Sequence, residues 1–201
     1  FLAIIRIGGI ALPLFSGYGP TAITTRLNHT KAKGIITADG YFRKGTLIKL
    51  KHTVDQAVEH SPSIEKIIVV QSCQANVEMH TERDHWWHEI VPSQPKYAKL
   101  SPTLAEDPIM ILYTSGTTGD PKGVVHTHCG FPIKASQDMS LGLDVHHGDI
   151  IHWITDMGWM MGPWMILGST ILGASMFIYN GAYIRNHSIK EFIICFFCIS
   201  I

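Results

Sequence analysis

The sequence predicts an α/β protein in which parallel strands alternate with helices. Three observations carry this reading. The apolar runs Ile67-Ile68-Val69-Val70 and Ile109-Met110-Ile111-Leu112 have the length and composition of strands buried on both faces. Segments with side chains at helical spacing, such as Ala22, Ile23, Arg26 and Leu27, or Val54, Ala57 and Val58, are interspersed with such runs. The two kinds of segment then follow one another along the chain, the order that lays helices over a parallel sheet.

Element by element, residues 1–7 read as a helix end. Ile10 to Phe15 is apolar with one proline and is expected to form a strand, followed by the turn Ser16-Gly17-Tyr18-Gly19-Pro20. Pro20 suits the first turn of a helix running through about Ala32. Gly34 to Thr37 is a short strand, and Thr53 to His60 a helix that stops before Pro62. Ala75 to Pro108 is polar and broken by prolines, a connection with a short helix around Asp84 to Ile90. Strand, loop and strand occupy Ile109 to His126, and a helix follows from Cys129 to Met139. A strand at Ile150 to Ile154, a helix at Gly158 to Leu172 and a strand at Met176 to Tyr179 complete the alternation, with no internal repeat.

With 46% hydrophobic and 16% charged residues, the 201-residue chain has the composition of a packed core rather than of a disordered segment. Lys plus Arg equals Asp plus Glu, so no overall field draws it to nucleic acid or an anionic membrane, and any anion site must be local. Cysteines at 73, 129, 195 and 198 show no disulfide framework, which fits a reducing, cytoplasmic setting. Gly158 to Ile178 carries no charge and is long enough to span a bilayer. Gly158, Gly162, Pro163, Gly168 and Gly173 interrupt it, however, and it lacks flanking Lys or Arg, so a core helix is favoured over a membrane span.

The most specific stretch is Tyr113 to Gly123, YTSGTTGDPKG. Ser115, Thr117 and Thr118 supply hydroxyls. Gly116, Gly119 and Gly123 let backbone N–H groups converge on an anion, and Lys122 adds a mobile positive charge. It is not a Walker loop, because Pro121 precedes Lys122 and Gly123 follows where Ser or Thr would open a helix. The loop is therefore expected to lead into another extended segment, Val124-Val125-His126. By composition alone a surface turn between two strands is the favoured reading. Two further groups have two readings each. Arg43-Lys44-Gly45 is by residue type a solvated turn or an anion contact. Asp156-Met157-Gly158-Trp159-Met160-Met161-Gly162 is either plain core at a helix start or an apolar wall for a ligand. His126-Thr127-His128-Cys129 lacks partners at zinc spacing, so no metal is assigned; Cys195 and Cys198 are assigned nothing. No Gly-x-Ser-x-Gly elbow or carboxylate pair stands out.

The order of Tyr113 to Gly123 resembles the phosphate-loop signature of the adenylate-forming (AMP-dependent) synthetases. Segments Arg6 to Leu27, Ile36 to Gly45, Glu82 to Glu89, Ala105 to His128 and His152 to Pro163 resemble, in one collinear order, the acetyl-CoA synthetase-like, short-chain branch. The resemblance implies that residues 1–181 are a partial AMP-binding domain, an incomplete part of that family's large N-terminal domain. Residues 182–201 match nothing in the pattern and are expected to be an aberrant tail from a frameshift or read-through.

The implied activity is that of a ligase. ATP activates a small-molecule carboxylate to an acyl-adenylate, and coenzyme A then takes the acyl group, with Mg²⁺ as the accompanying ion. Thr114, Ser115, Gly116, Thr117, Thr118, Gly119 and Lys122 are implied to hold the ATP phosphates, with Lys122 catalytic. Arg43, Lys44 and Gly45 are implied to contact coenzyme A phosphate, although Lys44 stands where Gly is frequent and Thr46 where a second Arg is usual. Trp159, Met160 and Met161 are implied to line the acyl and coenzyme A pocket. Met161 replaces a common Thr, so a strict acetate preference does not transfer. Family motifs that stack on adenine and hold the ribose, and the C-terminal domain with its catalytic Lys, have no match in these residues. The chain is therefore expected to be inactive alone. The rival readings are a truncated product with no catalytic role and a membrane-associated protein spanning at 158–178.

Overall fold

The computed structural model describes residues 1–114 and 120–178, together with the backbone of 195–197. In chain order the helices are α1 Leu2–Arg6, α2 Pro20–Thr30, α3 Leu50–Val58, α4 Trp87–Ile90, α5 Gly130–Gln137 and α6 Met161–Leu172. The strands are β1 Gly34–Ala38, β2 Tyr41–Arg43, β3 Thr46–Ile48, β4 Lys66–Val70, β5 Asp84–Trp86, β6 Pro108–Thr114, β7 Lys122–Thr127, β8 Ile150–Ile151, β9 Ser175–Ile178 and β10 Cys195–Phe197. They fall into two compact units, one of residues 16–97 and one of residues 1–15 with the described part of 98–178 and β10.

In the unit of residues 16–97, β1, β4 and β5 form a parallel sheet in that order, with Ile35 opposite Ile67 and Ile67 opposite Asp84. Pro20 opens α2 at its first turn, and Lys31 closes it in the left-handed conformation at φ 49°. Ile23 and Leu27 of α2 are buried, as are Val54, Ala57 and Val58 of α3. The Thr24 hydroxyl donates to Ala57 O at 3.0 Å, joining the two helices. α3 begins at Leu50, earlier than the apolar pattern suggests, and it carries a lysine into the core. Lys51 is fully buried, with Nζ 2.7 Å from both Asp55 and Asp84 and donating to Glu78 O at 3.0 Å. Arg83 completes the network through Asp84 at 2.6 Å and Asp55 at 2.7 Å. Every charge is paired, which is the condition for burying it.

In the other unit, β6 and β7 make an antiparallel hairpin, and β8 pairs parallel with β9, which pairs antiparallel with β10. Ile109, Met110 and Leu112 of β6 are buried with Phe131, Ala135 and Met139 and with Trp164, Met165 and Leu167 of α6. At Gly168 an added Cβ would lie 2.7 Å from Met139 Sδ and 3.0 Å from Ala135 O, so the close packing of α5 on α6 depends on that glycine. α6 ends at Gly173, φ 69°, where Ala174 N–H returns to Ser169 O at 2.9 Å.

The expected parallel pairing is present in β1–β4, β4–β5 and β8–β9, and the hairpins β2–β3 and β6–β7 add antiparallel pairs to it. Several expectations are corrected. Residues 10–15 make only one isolated bridge, Ala11 with Met110, because Pro13 has no N–H to continue the ladder. The helix expected from Asp84 starts at Trp87, residues 84–86 being β5. The apolar stretch 158–178 is not one span, as the favoured core-helix reading expects; it is the rival membrane reading that is overturned. The stretch divides into the 12-residue α6 and β9, and among the described residues no helix is long and apolar enough to cross a membrane. The expected tail, 182–201, lies outside the described residues apart from the backbone of β10.

Candidate functional site

Strand β6 ends at Thr114 and β7 begins at Lys122, and these two residues are paired at the turn end of the hairpin. Both are exposed. Ser115, Gly116, Thr117, Thr118 and Gly119 lie outside the described residues. The next pair inward is Tyr113 with Gly123. A Cβ at 123 would stand 3.0 Å from Ile111 Cγ2 and 3.3 Å from Tyr113 Cζ, so glycine is what lets the tyrosine ring lie over β7. Met110 and Leu112, buried in the core, fix the other end of the hairpin. The arrangement is a two-stranded stem that carries a cation and a hydroxyl side by side at its turn end, and its two strands stand where the strand–loop–strand reading expects them. Further along β7, His126 packs edge-on against Phe131 at 4.8 Å, and burial lowers its pKa. It is a packing residue here.

Arg43, Lys44 and Gly45 form the tip of the β2–β3 hairpin, with Arg43 paired to Thr46. Lys44 at φ 51° and Gly45 at φ 77° both adopt the left-handed conformation, the requirement of a two-residue turn that matches strand twist. All three are exposed. The base of this hairpin is pinned by Asp39, whose fully buried carboxylate accepts N–H bonds from Gly40, Ser72 and Ala75 at 2.7–2.8 Å and from Cys73 at 3.2 Å. Burial alone would raise the Asp39 pKa; the four N–H donors outweigh it and hold it below the ordinary value. No local pattern in the sequence singles out Asp39.

Trp159, Met160 and Met161 stand at the entrance to α6. Asp156 Oδ1 accepts the Gly158 N–H at 2.8 Å, and Trp159 N–H returns to Asp156 O at 3.1 Å. Trp159 is 40% and Met160 53% exposed, whereas Met161 packs against the core cluster. The trio is thus divided between an open apolar face and the core. The structure places the turn end of the β6–β7 hairpin and Trp159–Met161 in the same unit and Arg43–Gly45 in the other.

Among the described residues the one cluster of three potential metal ligands is Asp55, His80 and Asp84. It does not suit a cation, since Lys51 and Arg83 already occupy the carboxylates. Burial would raise the Asp84 pKa, but bonds from Arg83, Lys51 and the His80 N–H hold it well below the usual carboxylate range. The cluster also borders a cavity of about 340 Å³ lined by Lys49, His52, Glu78 and others.

Acetyl-coenzyme A synthetase of Methanothrix thermoacetophila is 39% identical over 182 residues, which is 90% of this chain and 28% of that protein. The enzyme of the same name from Rhodopirellula baltica is also 39% identical, over 90% of this chain and 27% of its own length. The chain therefore spans less than a third of the relatives it matches. The fold matches acetoacetyl-CoA synthetase from Streptomyces lividans with a TM-score of 0.80 at 23% identity, covering 90% of this chain and 27% of that one. The pattern of the AMP-binding enzymes matches residues 1–196, so the chain belongs to the AMP-binding enzyme family.

Proposed function

We propose that the chain supplies the phosphate-gripping part of an AMP-forming acid–thiol ligase of the acyl-CoA synthetase type. The observation that carries this is the pairing of Thr114 with Lys122 at the turn end of the β6–β7 hairpin, with the hydroxyl- and glycine-rich residues 115–119 between them in sequence. Relatives named acetyl-coenzyme A synthetase add support. In the whole protein a carboxylate oxygen attacks the α-phosphorus of ATP, the bond to pyrophosphate breaks, and an acyl-adenylate results. The coenzyme A thiol then displaces AMP and loses its proton.

The Lys122 ammonium, exposed at the start of β7, follows negative charge onto the departing pyrophosphate, and the Thr114 hydroxyl donates to a phosphate oxygen. The residues fit a polyphosphate in charge and donor type. Mg²⁺, when bound, neutralises nucleotide phosphate charge. Arg43 and Lys44 would meet coenzyme A phosphate, and Trp159, Met160 and Met161 would wall the acyl and coenzyme A pocket. The relatives' names support a small-molecule carboxylate as partner, the zero net charge provides no field that would draw nucleic acid, and the free thiols of Cys73 and Cys129 support a cytoplasmic setting.

The test is Lys122→Ala in a full-length version restored around residues 1–181, which is the full-length protein of the experiments below. Carboxylate-dependent pyrophosphate exchange should slow by about 10- to 1,000-fold with little loss of carboxylate binding. Unchanged exchange removes Lys122 from the mechanism. A second reading, in which these 201 residues have no catalytic role of their own, is supported by the 28% share of the relatives' length that they span.

A further inference from the structure

We propose that Phe15 and Gly158 act together as the positioning pair that sets the ring of Trp159, and through it the size limit of the acyl pocket. The inference rests on the reading of Trp159 as pocket wall. Its own basis is a contact between two segments far apart in sequence. A Cβ at position 158 would fall 2.2 Å from both Leu14 C and Leu14 O, and 2.3 Å from Phe15 N, so the two backbones touch and only glycine fits. That contact brings the Phe15 ring onto the Trp159 ring, with centroids 5.0 Å apart and planes 30° from parallel. The backbone of Trp159 is fixed at the same time. Its N–H bonds to Asp156 O at 3.1 Å, and its carbonyl accepts the Gly162 N–H at 3.0 Å. At 162 a Cβ would lie 2.7 Å from Met157 Cα, so the turn is tight on both sides of the tryptophan.

The indole is nonetheless 40% exposed. A large, partly exposed aromatic side chain with a fixed backbone and a stacked partner is a defined apolar surface rather than a freely swinging one. Without the Phe15 ring the indole gains rotamer freedom, and the wall can retreat to admit a longer acid. Phe15 touches no reacting atom in this scheme. It acts through Trp159.

The experiment uses the full-length protein with Phe15→Ala, Phe15→Leu, Phe15→Tyr and Trp159→Ala. One measurement is the ratio of kcat/KM, by pyrophosphate exchange, for the preferred carboxylate and its homologue one methylene longer. The other is the tryptophan signature in near-ultraviolet circular dichroism. Phe15→Ala and Phe15→Leu should shift the ratio about 3- to 10-fold toward the longer acid, within the range one methylene can discriminate. Phe15→Tyr should restore it, and Phe15→Leu should weaken the tryptophan bands while far-ultraviolet dichroism stays unchanged. Phe15→Leu keeps most of the side-chain volume, so it carries the test if Phe15→Ala does not fold. An unshifted ratio in Phe15→Leu beside a shifted one in Trp159→Ala overturns the proposal. If Trp159→Ala also leaves the ratio unshifted, it is the acyl-pocket reading that fails. The near-ultraviolet bands then decide the positioning role alone, and their retention in Phe15→Leu overturns it.

Discussion

Asp39 and Lys51 are fully buried charged residues, and each is satisfied in a different way. Asp39 takes four backbone N–H groups, while Lys51 takes Asp55, Asp84 and the Glu78 carbonyl. Removing Asp39 leaves several buried donors without an acceptor, so Asp39→Ala should cost about 3 kcal/mol in urea unfolding. Lys51→Met should cost a similar amount, about 3–5 kcal/mol, because Asp55 and Asp84 lose a shared partner. Asp39 and Asp84 both ionise more readily folded than unfolded. Between the folded and unfolded pKa values the unfolded chain binds more protons. The stability they contribute is therefore complete above the ordinary aspartate value of about 3.9 and is lost as pH falls through their lower folded values. Urea midpoints measured across that acid range should drop less steeply in Asp84→Asn than in the parent, and equal slopes would assign the acid sensitivity elsewhere. These residues were not legible as sites. The Lys51–Asp55 spacing of four was the one visible signal, and no apolar pattern selects a buried lysine or an N–H-bound aspartate.

Elements were legible in proportion to how local their causes are. The apolar run of β4 and the helix opened by Pro20 stand where the pattern put them, and so does the strand–loop–strand of β6 and β7, since length, Pro and Gly signals suffice. The three-residue strands β2, β3 and β5 were not seen. β5 exists because Ile67, Ile68 and Val69 offer it parallel partners, which is a non-local cause. The β2–β3 hairpin shows how one residue type can serve two readings. Gly45 at φ 77° is explained by the turn alone, so its presence is no argument for a ligand; only Arg43 and Lys44 can carry one. Arg43→Ala in the full-length protein should accordingly raise the KM for coenzyme A and leave carboxylate-dependent pyrophosphate exchange unchanged. Equal loss in both half-reactions would make Arg43 structural, and loss in neither would leave Arg43-Lys44-Gly45 as a solvated turn.

At the scale of the whole molecule, the 201 residues on their own should form no acyl-CoA from ATP, coenzyme A and short carboxylates. Transfer of an acyl group through an adenylate needs the carboxylate, the α-phosphorus and the leaving pyrophosphate held together and shielded from water, and the gain from such positioning vanishes if any one of them is free to move. On the proposed reading, the described residues supply one side of that arrangement. Thr114 and Lys122 stand exposed at the turn end of a hairpin, and Val124 and Val125 beyond them are 42% and 54% exposed, so neither face of β7 here excludes water. Two cavities, of about 370 and 340 Å³, lie along α3 in the other unit and include neither of these turn-end residues. The matched relatives are more than three times as long, which leaves ample chain to close the site over such a stem. Measurement of thioester formation by the purified 201-residue chain decides the matter. Steady acetyl- or propionyl-CoA production would mean that the hairpin and its own unit complete the cleft unaided. Its absence, together with pyrophosphate exchange in the full-length protein, would mean that the chemistry needs the additional length, and the Lys122→Ala measurement then decides whether the phosphate grip lies here.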